Sequence, residues 1–270
     1  MRKRFEVQLA LGKTPIERVV LPLKSRDELP PILAGLQWIF QTPEVNSRIF
    51  VLLESKLIAG KKATGRPVFG HALDINPSNT NAWFGKAKAL QAEGRVGFEQ
   101  AVECYSRGLE IAPHEMDMWA EKASVLNEMR QYAQAIDCCD KALAIDDGVA
   151  RLWFSKGYAL GQLGRHQEAV ACYDRDIAID PNDCGAWNNK SWELRQMRRF
   201  EAEITCYDEM QRISPDLFIW YHKGIAQENA GRVAEAIKSY REFVKVPCKL
   251  DYQQSMQLDA RKRLAELEKR

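Results

Sequence analysis

The stretch that decides the fold is Trp153-Phe-Ser-Lys-Gly-Tyr-Ala-Leu-Gly-Gln-Leu-Gly-Arg-His-Gln-Glu-Ala-Val-Ala-Cys-Tyr-Asp-Arg-Asp-Ile-Ala-Ile-Asp-Pro181. Its first part sets Trp153, Lys156, Gly157 and Leu160 at i, i+3, i+4 and i+7, which is one face of a helix. Gly164 stops that helix, and Pro181 stops a second one in which Ala169 and Tyr173 stand four apart. The pattern recurs along the chain. Trp83, Trp119, Trp153, Trp187 and Trp220 are separated by 36, 34, 34 and 33 residues, and each opens a similar first helix. In the second helices, Ala101, Ala135, Ala169 and Ala236 allow a close approach, and Tyr105, Tyr173, Tyr207 and Tyr240 fill the space beside them. Cys139 takes that place in the second unit. A fixed period of this length predicts stacked units, each burying a face against its neighbours.

These units resemble tetratricopeptide (TPR) repeats, whose pattern is Trp-x2-Leu-Gly-x2-Tyr, then Ala-x3-Phe, then Pro, over 34 residues. The resemblance covers residues 71–247. It implies an all-α fold, a right-handed superhelical solenoid of five helix-turn-helix repeats over residues 80–250. A solenoid needs its last apolar face covered. Tyr252, Met256, Ala260 and Leu264 recur every four residues, so residues 251–270 are expected to form a C-terminal capping helix. Three departures stand out: two extra residues after Gly94, Asp147 in place of Pro, and Glu203 where a small Ala belongs. The last predicts an offset or looser helix pair in the fourth unit. Lys86, Lys122, Lys156, Lys190 and Lys223 stand where the pattern has Leu. They read as aliphatic stems packed at the helix seam with ammonium heads reaching water.

The front of the array is irregular. His71-Ala-Leu-Asp-Ile-Asn-Pro-Ser-Asn79 aligns with Arg175-Asp-Ile-Ala-Ile-Asp-Pro-Asn-Asp183, so residues 68–79 read as a junction and the remnant of a truncated repeat. Before it, Arg4 to Leu11 and Ile16 to Leu23 read as short strands, 27–41 and 43–58 as helices, and Gly60 to Pro67 as a basic, turn-rich linker. Residues 1–67 therefore form a small α+β leader in this reading. The segment resembles the N-terminal leader of bacterial insertion-sequence transposases. That likeness rests on Met1-Arg-Lys-Arg-Phe-Glu-Val-Gln-Leu, Leu29-Pro-Pro-Ile-Leu, Leu36-Gln-Trp-Ile-Phe, Thr42-Pro-Glu-Val-Asn and Gly60-Lys-Lys-Ala-Thr-Gly-Arg-Pro. The family's catalytic domain would lie beyond the resemblance, so no transposase activity is implied. The economical reading is a transposase start fused into a repeat gene.

Composition narrows the function. The chain has 270 residues and a net charge of +2, which gives no global field for nucleic acid. Residues 1–67 carry 12 Lys/Arg against 6 Asp/Glu, and the remainder carries 27 against 31. The longest uncharged run, Leu29 to Pro43, is too short and too proline-rich to span a bilayer. No secretory signal is read at the N-terminus, and seven cysteines in such a chain read as reduced thiols, so a cytoplasmic location is expected. Gly60-x4-Gly65 precedes Arg-Pro and is no P-loop, and His114-Glu115 lacks the second His of a zinc-protease motif. The four histidines read as solvated helix ends. Cys104, Cys138, Cys172 and Cys206 recur every 34 residues. Equivalent positions a helix pair apart cannot share a zinc ion or a disulfide, so they read as small buried residues. No catalytic residue, metal or cofactor is expected, and the protein is read as a non-enzyme.

What the TPR resemblance implies is a concave groove, lined by first helices, that binds an extended or helical segment of a partner protein. The residues expected there are Phe84, Lys88, Asp117, Arg151, Phe154, Tyr158, Asn188, Trp192, Arg195 and Tyr221. They make an aromatic groove with isolated charges, and aromatic and Arg side chains are the usual anchors of interfaces. The paired Lys/Asn clamp by which some TPR proteins hold a terminal carboxylate is not seen. A protein-interaction scaffold is therefore the leading reading. Two alternatives stay open: a nucleic-acid-associated fusion product that uses the basic leader, and a genomic fusion with no selected function. No membrane association is expected.

Overall fold

The computed structural model describes residues 3–11, 14–23, 66–214, 217–245 and 251–269. The chain divides into two compact units, Met1–Met129 and Arg130–Arg270. In the first, strands β1 (Lys3–Leu11) and β2 (Thr14–Leu23) pair antiparallel, with Lys3 opposite Leu23 and a bulge at Leu9/Ala10. The two helices expected over 27–41 and 43–58 lie outside the described residues.

Helix α1 (Arg66–Ile75) begins inside the stretch read as a linker. Pro67 near its start is compatible with a first helical turn, whose N–H groups have no intrahelical acceptors. Phe69, Ala72 and Leu73 of α1 are buried, and α1 packs on helix α2 (Thr80–Gln91). Asn79 caps α2 by accepting a bond from the Ala82 N–H at 3.1 Å. The two extra residues of the first unit are taken up by a 3-10 turn, Gly94–Val96. Helices α3 (Phe98–Ile111) and α4 (Met116–Glu128) follow. Leu90, Ala101, Tyr105, Leu109, Met118 and Val125 form the core of this unit, flanked by Trp83 and Trp119.

The second unit runs α5 (Tyr132–Leu143), α6 (Ala150–Gln162), α7 (His166–Ile179), α8 (Cys184–Gln196) and α9 (Phe200–Ile213). It ends with α10 (Leu217–Asn229), α11 (Val233–Val244) and α12 (Asp251–Leu267). Each helix packs on the next in chain order. Helix α12 buries Ala260 and Leu267 against Tyr240 and Phe243, and so covers the last apolar face. Among the described residues, no helix is long and apolar enough to cross a membrane.

Three details repeat from unit to unit. Trp83, Trp119, Trp153 and Trp187 donate Nε1–H to the carbonyl six residues back, of Pro77, Pro113, Asp147 and Pro181 respectively, at 2.8 to 3.1 Å. Asp147 serves as well as Pro because only its carbonyl is used. Each repeat lysine lies over the ring of the Trp three residues before it, at 4.9 to 5.6 Å. The lysine heads of the later repeats do not simply reach water. Lys156, Lys190 and Lys223 pair with Asp140, Asp174 and Asp208 on the preceding second helix, at 2.5 to 2.6 Å. A stacked, half-shielded ion pair of this kind is stronger than an exposed one. Finally, a residue two or three places beyond the end of each first helix has positive φ: Gly94, Arg130, Gly164, Arg198 and Gly231, between 56° and 77°.

Candidate functional site

In the second unit, first helices α6, α8 and α10 and second helices α7 and α9 enclose a cleft of about 360 Å³. Tyr158, Gln162, Asn188, Trp192, Arg195 and His222 line it. Four of these, Tyr158, Asn188, Trp192 and Arg195, are among the residues expected from the sequence. Trp192 differs from the repeat tryptophans. It is 56% exposed, and among the described residues its Nε1 has no hydrogen-bond partner. Tyr158 is 38% exposed and meets Tyr132 edge-on at 6.2 Å.

The floor is polar and fixed. Tyr207 of α9 is buried, and its hydroxyl accepts from Arg195 Nη2 at 3.1 Å and from Ser191 Oγ at 3.2 Å. Arg195 also donates Nε–H to Glu203 Oε1 at 2.7 Å, and the pair closes at 2.6 Å. Glu203 is fully buried. Burial pushes its carboxyl up, and the guanidinium pulls it part of the way back. Burial disfavours the Arg195 charge, but the bond to Glu203 outweighs it and raises its pKa. The expected offset of the fourth pair is thus corrected, while its two helices do pack less closely than those of repeat three. Glu203 keeps the place of Ala169 and Tyr207 that of Tyr173, with Arg195 pairing Glu203 through Oε1 and leaving Oε2 without a hydrogen-bond partner among the described residues.

A second buried carboxylate crosses between repeats. Glu193 of α8 reaches His166 of α7, with Oε2 2.6 Å from Nδ1. Gly161 of α6 makes the space, since a Cβ there would stand 2.3 Å from Glu193 Oε1. His222 stacks on Tyr207 at 6.3 Å, and its pKa is lowered by burial and then by Arg195. The reading of the histidines as solvated ends is therefore corrected for His166 and His222.

The other expected groove residues fall elsewhere. Phe154 meets Tyr173 edge-on at 5.9 Å, and Arg151 is exposed in the first turn of α6. Tyr221 donates its hydroxyl to Asp259 of α12 at 2.8 Å and packs on Phe243, so the terminal helix occupies it. In the first unit, Phe84 packs on Tyr105, Lys88 pairs with Glu121 at 2.9 Å, and Asp117 is exposed at the start of α4. Sequence reasoning missed Gln162, Asn189, Glu193 and His222, and it treated Tyr173 and Tyr207 only as spacers. Their signal was position: each stands on or beside the groove-facing row.

The cysteine ladder Cys104, Cys138, Cys172 and Cys206 is buried. Burial pushes Cys172 up to about 11 and Cys206 up to about 12, so both remain protonated, weakly reactive thiols.

Comparison with known proteins follows this geometry. Two tetratricopeptide repeat models match, one over residues 150–183 and the other over 117–148 and 219–246. An uncharacterized protein of Methanocaldococcus jannaschii is 46% identical over 46 residues, 17% of this chain and 51% of that protein. The match thus spans about half the length of that curated relative. Among solved structures, YrrB, described as a TPR protein with an unusual peptide-binding site, superposes with a TM-score of 0.61 at 17% identity. That match covers 72% of this chain and 97% of YrrB. PilF of Pseudomonas aeruginosa gives 0.62 at 15% identity over 80% of this chain and 99% of its own. MamA gives 0.59 at 19% identity over 63% of this chain and 92% of its own. The likeness of residues 1–67 to a transposase leader gains no support from these matches. Residues 117–148, 150–183 and 219–246 are tetratricopeptide repeats, and the helical part of the chain has the fold of a TPR array.

Proposed function

We propose that the protein is a non-enzymatic interaction scaffold that binds a segment of a partner polypeptide in the cleft of α6, α8 and α10. The observation that carries this reading is Trp192. It lines the cleft beside Tyr158 and is exposed, while a hydrogen-bonded network of Arg195, Ser191 and Tyr207 forms the floor. A large aromatic with few rotatable bonds loses little entropy on binding, and a fixed floor adds preorganisation. The peptide-binding site ascribed to YrrB supports the class of ligand.

The test is selection from a random peptide library on the full chain, with counter-selection on the Tyr158→Ala/Trp192→Ala double variant. Selected peptides should lose about 2 kcal/mol or more of binding energy in the double variant, provided its melting curve matches that of the parent. Peptides that keep full affinity for the folded double variant would reject the cleft.

A further inference from the structure

We infer that the bound segment presents a basic side chain, arginine or lysine, to the Glu193 carboxylate in the cleft; this rests on the peptide-binding reading above. Two departures from the repeat pattern meet at this point. Glu193 stands six residues after its Trp, where the other repeats carry Ala89, Val125, Ala159 and Ala226. Packing of a first helix thus needs no carboxylate at that place. Gly161 stands eight residues after its Trp, where the others carry Gln91, Asn127, Arg195 and Glu228. The two changes fit each other in space. A Cβ on Gly161 would stand 2.3 Å from Glu193 Oε1, so the missing side chain is what admits the carboxylate.

The carboxylate is held in place but only half engaged. The Glu193 side chain is 7% exposed, and His166 Nδ1 takes its Oε2 at 2.6 Å. Oε1 has no hydrogen-bond partner among the described residues, and Glu193 lines the cleft. A segment that closes the cleft displaces water from this oxygen and must supply a donor in its place. The other charges at the cleft do not supply one. Arg195 is closed on the buried Glu203 at 2.6 Å, and burial, then Arg195, push His222 towards its neutral form. The remaining lining suits a cation. Tyr158 and Trp192 offer aromatic rings, and Asn188 and Asn189 offer amide oxygens as further acceptors. A guanidinium or ammonium brings donors and a positive charge, and no acceptor. A carboxylate ligand would instead be set against Glu193, with the neutralised Arg195 to receive it.

Capped peptides Ala-Ala-X-Ala-Ala, with X as Arg, Lys, acetyl-lysine, Gln or Glu, test this by NMR titration of the full chain. The readout is the Trp192 indole N–H resonance, assigned by its absence in Trp192→Phe. The Arg and Lys peptides should bind about tenfold tighter than the Gln and acetyl-lysine peptides, and the Glu peptide most weakly. Their affinity should fall several-fold between about 50 and 500 mM NaCl. In Glu193→Gln, which keeps the side-chain shape, the Arg and Gln peptides should become equal. A melting curve establishes that this variant is folded, and the lysine against acetyl-lysine comparison needs no variant at all. Equal binding of lysine and acetyl-lysine, salt-independent binding, or an Arg preference that survives in folded Glu193→Gln overturns the inference and leaves Glu193 as a partner of His166 alone. If the Gln or Glu peptide then shifts the Trp192 signal, the peptide-binding reading stands without it. No shift with any of the peptides also overturns the inference, and the library selection above then decides the peptide-binding reading by itself.

Discussion

In repeat three, Gly157 of α6 and Ala169 of α7 stand at the crossing of the pair, and Gly161 faces Glu193 of α8; in repeat four, the same three places carry Ser191, Glu203 and Arg195. The shared frame is visible in the tyrosines. A Cβ at Gly157 would stand 3.0 Å from the Tyr173 ring, and Ser191 at the matching place bonds the Tyr207 hydroxyl. One pair approaches with small residues, and the other fills the same space with an ion pair in which Arg195 holds Glu203 Oε1 while Oε2 has no hydrogen-bond partner among the described residues. The difference shows that this backbone plan does not require a small residue at the crossing; a buried carboxylate is carried there when an opposite charge faces it. Repeat four gains a consequence from its choice, because Arg195 comes to the surface in the cleft, whereas repeat three leaves only Gly161, with the Glu193 carboxylate against it.

The comparison breaks most visibly at Arg195. Arg195→Ala strands Glu203 in the interior, and a destabilisation of about 3–5 kcal/mol is expected in denaturant titration. Arg195→Met with Glu203→Leu, similar in volume and uncharged, should return to within about 1 kcal/mol of the parent. If the double variant is no more stable than the single one, the network is not what lets repeat four depart from repeat three.

A second contrast lies one turn further along the second helices. Repeat three has Asp176 where repeat four has Met210. Asp176 is fully buried, and neither carboxylate oxygen has a hydrogen-bond partner among the described residues. Burial first, then Asp183 and Asp180, push its pKa from 3.8 up to about 7. The folded state therefore holds this proton more tightly than the unfolded chain does. Its contribution to stability is best below pH 3.8, declines as pH rises to about 7, and is constant above that. Asp176→Ala should stabilise the protein by about 1–3 kcal/mol at pH 8, and by less at pH 5. Melts at the two pH values check this, and an equal gain at both would show that charge is not the cause.

The smallest effect sharpens the comparison at the turn. Gly164 and Arg198 occupy the same left-handed position, at φ 73° and 56°. A side chain there is strained, so Arg198→Gly should stabilise by about 0.5–1 kcal/mol and Gly164→Arg should destabilise by a similar amount. Thermal melts of the reciprocal pair suffice. A loss of stability in Arg198→Gly would show that the Arg198 side chain contributes more than its backbone strain removes.

The tryptophan period made the helix pairs, their order and the C-terminal cap legible, because each rests on contacts close in sequence. The start of α1 was not, since Arg66-Pro67 reads equally as a turn or as a first helical turn. The cleft was half legible. Position relative to each Trp located Tyr158, Asn188, Trp192 and Arg195, but Tyr221 follows the same rule and is covered by α12. The polar network escaped because its members were judged separately. Arg195 was read as a groove charge and Glu203 as a misfit, eight residues apart, and only the fold shows that each explains the other. The same holds for the lysines. Asp140, Asp174 and Asp208 recur two residues after the cysteines that drew the eye, and the ion pairs they make cross from one repeat to the next.

The tryptophan bonds to the preceding turns bear on how such a chain can be cut and recombined. Trp187 is tied to Pro181, and Lys190 to Asp174, so a second helix, the turn after it and the next first helix form one mechanical piece. The sequence period suggests joining modules just before each Trp, which would match a Trp with a foreign turn and a lysine with a foreign aspartate. Joints placed instead at Leu163–Gly164 and Met197–Arg198 keep both ties inside residues 164–197, and the receiving array must then supply a carboxylate at the place of Glu203 for Arg195. In this array the portable module is offset by half a repeat from the one the eye picks out.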